Sequence, residues 1–128
     1  MKVSMLLGVL SLTFAHVAVA ENLNCQLRVE RYVHQGENYL FSGSEVLKTS
    51  SAPVAGSYEA RIKDEVYPVK YQVVFKEHDS ISGTLVVDID QPSSRDESSV
   101  SAGAALILQT RDYTAAGYDN YSLTCNAN

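Results

Sequence analysis

Apolar and polar residues alternate with period two along most of the chain beyond about residue 22, and no convincing helical stripe interrupts them. The clearest stretch runs from Tyr67 to Asp90. Val69, Tyr71, Val73 and Phe75 alternate with Lys70, Gln72, Val74 and Lys76. After the polar turn Glu77-His78-Asp79-Ser80, Ile81, Gly83, Leu85, Val87 and Ile89 alternate with Ser82, Thr84, Val86, Asp88 and Asp90. Two such runs joined by a short polar connection predict an antiparallel hairpin with one face toward the core.

Shorter runs follow the same rule. Cys25, Leu27 and Val29 alternate with Gln26, Arg28 and Glu30 before a turn at His34 to Asn38. Tyr39-Leu40-Phe41 resumes a short strand, and Val46-Leu47 reads as another. Tyr58, Ala60 and Ile62 alternate with charged neighbours. Ser101 to Thr110 holds an apolar run whose flanking glycine and serines favour strand over helix, and Tyr121, Leu123 and Cys125 close the set. The expected fold is all-β, a single small antiparallel sandwich or small barrel of about seven strands. Gln91 to Ser99 and Asp112 to Asn120 read as polar loops.

The first twenty residues change the picture of where this sheet protein works. Met1-Lys2 gives a positive start, Val3 to Ala15 a mostly apolar run, and Ala18-Val19-Ala20 a small-x-small cleavage pattern. The run is short of the roughly 20 residues that span a bilayer. The expectation is a signal peptide over residues 1–20 and a single β domain over 21–128, secreted or periplasmic and without membrane insertion after the signal is removed. About 108 residues suffice for one core.

In such a compartment two cysteines have one intramolecular pairing, Cys25 with Cys125. Lipid attachment to Cys25 is disfavoured by the preceding Asn22-Leu23-Asn24, which lacks a small residue next to the cysteine. Two thiols without clustered histidines do not complete a tetrahedral metal shell. A bridge over roughly 100 residues contributes up to about 4.7 kcal/mol in the chain-entropy account. If the terminal strands pair antiparallel, Cys25 meets Cys125, Leu27 meets Leu123 and Val29 meets Tyr121, all facing inward. A bridge spanning two packed sheets is the alternative.

Charge is unevenly placed. Seven acidic and seven basic residues cancel between Glu21 and Lys76, whereas eight acidic residues face only Arg95 and Arg111 from Glu77 to the end. An acidic half disfavours nucleic acid and anionic membrane as partners and is compatible with a basic protein or a divalent cation.

Candidate chemistry centres on "VVDIDQPSSRD", residues 86–96. Asp88 and Asp90 lie two apart on a strand and so share a face, and Asp96 can fold back toward them. The spacing D-x-D-x5-D, after the hairpin partner that runs from Pro68 to Phe75, resembles the third calcium loop of C2 domains over about Tyr67 to Gly103. That resemblance implies calcium, held by Asp88, Asp90 and Asp96 among its six to eight oxygen ligands. The chain departs from the C2 pattern in Phe41 to Gly56, where an earlier aspartate is usual and only Glu45 stands, and in its terminal disulfide. The EF-hand spacing is not met. Taken alone, the same aspartates are the solvent face of a strand end beside a polar loop.

Nothing in the chain marks a catalytic site, so no catalytic residue is assigned and no cofactor other than calcium is considered. His34 and His78 fall in expected turns, no G-x-S-x-G elbow occurs, and both cysteines belong to the bridge. Eight tyrosines supply most of the aromatic area. Tyr71 and Tyr121 point inward by alternation. Tyr113 and Tyr118 are the surface candidates, and with Asp96 and Glu97 they form the expected partner-binding set. The leading expectation is an exported, non-enzymatic binding module, inhibitor-like toward a basic enzyme such as a lysozyme or protease. The alternatives are a calcium-dependent C2-like module and a structural envelope protein. Asn120-Tyr121-Ser122 also matches an N-glycosylation acceptor in a eukaryotic source.

Overall fold

Cys25 and Cys125 stand directly opposite each other on two neighbouring antiparallel strands, and their sulfurs are bonded. The same register sets Leu27 against Leu123 and Val29 against Tyr121, the first of the two expected arrangements, and not a bridge between the two sheets. The computed structural model describes residues 22–54, 59–76, 80–87, 94–101 and 103–127. The expected signal segment therefore lies outside the described residues. So do Asp88 and Asp90.

Eight strands follow one another: β1 (Asn22–Gln35), β2 (Asn38–Pro53), β3 (Glu59–Val66), β4 (Val69–Lys76), β5 (Ser80–Val87), β6 (Ser94–Ser101), β7 (Leu106–Thr114) and β8 (Gly117–Ala127). They form two four-stranded antiparallel sheets. The first has the order β2-β1-β8-β7 and the second β3-β4-β5-β6. Around the molecule the strands run in chain order, and β8 returns to β1. The ladder is broken only where β2 lies beside β3 and β6 beside β7. The architecture is a sandwich whose two seams sit where a meander barrel would continue its hydrogen bonds.

The core is made by the alternating positions. Leu23, Leu27, Leu106, Leu108 and Leu123 from the first sheet meet Val69, Val73, Ile81 and Leu85 from the second, all fully buried, with the disulfide among them. Outward positions are mostly polar, the reverse of a lipid-facing barrel. Gly83 is inward-facing, and a side chain there would press on the Gln72 carbonyl and the Leu106 methyl group. Tyr71 and Tyr121 are buried, as expected from their phase.

Two expectations need correction. Gln91 to Ser99 is not one polar loop, because Ser94 onward forms β6. An edge strand needs few apolar residues, since one face is solvated and its inner side here meets polar groups of β7. Tyr39-Leu40-Phe41 and Val46-Leu47 are not separate strands either. They belong to the 16-residue β2, interrupted by bulges at Ser42 and Leu47 where the pairing with β1 skips a residue. Each bulge shifts the face of the residues beyond it, which hid the continuity of the strand from a period-two reading.

A Cys25→Ala/Cys125→Ala variant should lose up to about 4 kcal/mol of stability, measured by urea unfolding. The oxidised protein should show no titratable thiol.

Candidate functional site

β1 and β2 are much longer than the eight-residue strands of the second sheet, so the β1–β2 and β7–β8 ends project beyond it. On the outer face of this projecting end each strand contributes an aromatic ring to one cross-strand row. Phe41 of β2 is paired with Tyr32 of β1, Tyr32 with Tyr118 of β8, and Tyr118 with Tyr113 of β7. Tyr32 and Tyr118 stack with centroids 4.7 Å apart and planes 17° apart. Phe41 meets Tyr32 edge-on at 5.7 Å, and Tyr113 lies 5.3 Å from Tyr118. Tyr39 packs edge-on against Tyr118 at 4.9 Å and tilts over His34 at 4.6 Å.

Tyr118 is the centre of the group. The Arg111 guanidinium covers its ring at 4.6 Å and donates to the Tyr113 hydroxyl at 3.3 Å. Burial raises the pKa of Tyr32, and the negative charge of Glu30 adds to the rise, so its phenol stays neutral at physiological pH. The rings hold together four strand ends that extend past the described strands of the second sheet. Their outer members remain open to solvent, with Tyr113 62% and Phe41 57% exposed.

Glycine is required where β8 enters this end. A Cβ on Gly117 would overlap the carbonyl oxygen of Tyr32, whose ring is in the row. The tip is tied by the His34 amide, which donates to the Ala116 carbonyl at 2.8 Å.

A second group of functional side chains closes the seams between the sheets. At the β2–β3 seam Lys48 binds the Asp64 carboxylate at 2.7 Å, and Ser50 bonds both Asp64 and the Tyr71 hydroxyl. The Lys48 hydrogen bond holds the Asp64 carboxyl below its ordinary pKa, and the same bond raises that of Lys48. Burial raises Tyr71. The cluster is a clamp between sheets. At the β6–β7 seam Ser94 and Thr110 share a hydroxyl hydrogen bond, and Asp96 accepts the Gln109 amide at 2.9 Å.

The expected site residues are thus divided. Tyr113 and Tyr118 come together in the aromatic row, as ends of strands joined by a tight turn at Ala115-Ala116 and not as a long loop. Asp96 and Glu97 lie on β6 in the other sheet, where Asp96 faces β7 and Glu97 pairs with Arg95 at 2.9 Å. Asp96 is the sole member of the proposed calcium set within the described residues. Among those residues no three metal-binding side chains come together. The acidic residues of the C-terminal half also divide, with Asp112 and Asp119 opposite each other at the projecting end. Asn120 is buried in β8, so the glycosylation acceptor is not presented by the folded domain.

Tyr32, Tyr39, Phe41 and Arg111 were not singled out in the sequence. The signal was present, because the register through the cysteines, carried on along β1 and β8, places Tyr32 against Tyr118. Comparison with protein-family models, curated proteins and solved structures finds no match to the chain.

The Asp64 clamp should be visible in acid. A carboxyl whose folded pKa is depressed adds stability above the unfolded value of about 4, and that stability is lost as pH falls through the folded value. Asp64→Asn should lower stability by about 1 kcal/mol at neutral pH and flatten the decline below about pH 4 in urea titrations. Asp96→Ala should cost about 1 kcal/mol by releasing the Gln109 amide, with the same loss in calcium and in chelator.

Proposed function

We propose that the chain is an exported, non-enzymatic β domain that acts by binding a protein through the projecting end of the first sheet. The aromatic row carries this reading. A tight centre of tyrosines with exposed outer rings, backed by a rigid disulfide-closed scaffold, has the make-up of an interface hot spot. Tyrosine suits the task because its ring offers apolar area and its hydroxyl a polar tip at little entropic cost.

The surroundings favour a basic partner. Glu30, Glu37, Glu45, Asp112 and Asp119 at this end outnumber Arg28, Arg31 and Arg111, and Arg31 already faces Asp119 at 3.7 Å. In register only Glu30 shares the ring face, with Arg28 and Arg111, while Glu45, Asp112 and Asp119 lie on the reverse face of the same projecting end. The charge argument therefore rests on that end as a whole and no longer on one acidic half of the chain. An inhibitor of a basic secreted or periplasmic enzyme fits this surface, the projecting end being the part that would enter a cleft. The leader-like first twenty residues and the disulfide support an oxidising location.

Binding should be measured by interferometry against a set of basic enzymes, including a lysozyme and a cationic protease, with acidic proteins as controls. The expected result is salt-sensitive binding to a basic member that weakens at least tenfold in Phe41→Ala/Tyr113→Ala, with the thermal transition little changed. Binding that ignores this substitution, or none to any basic enzyme, would remove the reading.

A further inference from the structure

The four outer strands of the two sheets are not equally protected. β3 carries Glu59, Arg61, Lys63, Asp64 and Glu65, β6 carries Arg95, Asp96 and Glu97, and β7 carries Arg111 and Asp112. Charge of this kind is what keeps sheet edges from pairing with other chains. β2 differs. From Asn38 to Ser44 it has no charged residue, and β3 reaches only its later part, where Lys48 and Ser50 meet Asp64. Tyr39 is 40%, Leu40 47% and Phe41 57% exposed.

The backbone of this segment is presented to solvent in a definite way. Pairs in an antiparallel hairpin alternate between hydrogen-bonded and not. The His34 amide is turned to Ala116 on the β8 side, so the His34–Tyr39 pair is one of the non-bonded ones. Tyr39 and, two residues on, Phe41 therefore aim their N–H and C=O groups away from β1 at an open edge. The bulge at Ser42 ends this regular stretch.

We propose that this edge pairs with the same edge of a second copy of the chain, antiparallel about a two-fold axis at Leu40. The segment Tyr39-Leu40-Phe41 is close to self-complementary under that reversal. Tyr39 of each copy falls opposite Phe41 of the other as a hydrogen-bonded aromatic pair on the outer face. Leu40 meets Leu40 on the inner face, next to Val33, its partner in β1. No like charges are opposed, because Glu37 is in the turn and Glu45 lies beyond the bulge. Both copies carry net negative charge, and this neutral strip lets them approach. The product is a continuous eight-stranded sheet whose two aromatic rows meet at the axis. A foreign strand would not share this symmetry.

The contact is small, so the dimer is weak, half-formed at roughly 0.1 mM. The inference is independent of the partner proposed above. Sedimentation of the oxidised chain between about 10 µM and about 1 mM tests it. The weight-average mass should rise from one chain toward two, and the Tyr39 and Phe41 amides should exchange more slowly at the higher concentration. Leu40→Lys, which places like charges at the axis, should weaken association at least tenfold. Phe41→Pro removes a donor that faces only the second copy and should do the same. Tyr113→Ala, at the far edge of the row, should leave the dimer intact while reducing enzyme binding. A single-chain mass at every concentration, or unchanged association in both edge variants, would overturn the proposal.

Discussion

The pairing of β1 with β8 is the constraint on which the rest of the molecule depends. It brings the first and last strands into one sheet, fixes which residues face the core, and aligns the two cysteines for bonding. A slip of one residue would turn either Leu27 and Val29 or Leu123 and Tyr121 outward and separate the sulfurs. The buried bridge and the hydrophobic pattern thus specify the same register. That agreement is what the sheet needs, because the remaining ladders join strands that are already neighbours in sequence.

Core and seams divide the work of holding the sheets together. Leucine, valine and isoleucine fill the space between them, and polar side chains meet at the two seams. There the backbone ladder is interrupted, and a carboxylate and hydroxyls take over part of its role. Among the described residues no buried side-chain nitrogen or oxygen lacks a partner. The polar groups therefore secure the corners without leaving an unpaired charge in the interior.

Where alternation was uninterrupted, the sequence was sufficient. The β4–β5 hairpin and the β1–β8 register follow from period two and the cysteines. The longest strand looks like fragments in the sequence because its bulges reset the alternation, and β6 looks like a loop because an edge strand can be almost wholly polar. The site was half legible for a related reason. Tyr113 and Tyr118 are near a recognisable turn, whereas Phe41 joins them only through three successive pairings across four strands. Asp96 accepts the Gln109 amide of a neighbouring strand, and a carboxylate in that role looks the same in sequence as one that holds a cation.

The meander order has a topological corollary. Leu23 at the start of β1 faces Ala127 at the end of β8, so the outermost strand ends already lie side by side. Linking them by a short turn and cutting the chain between β3 and β4 would give a circular permutant with every ladder preserved. In that molecule the cysteines would belong to adjacent hairpin strands, and their bond would close a loop of only a few residues.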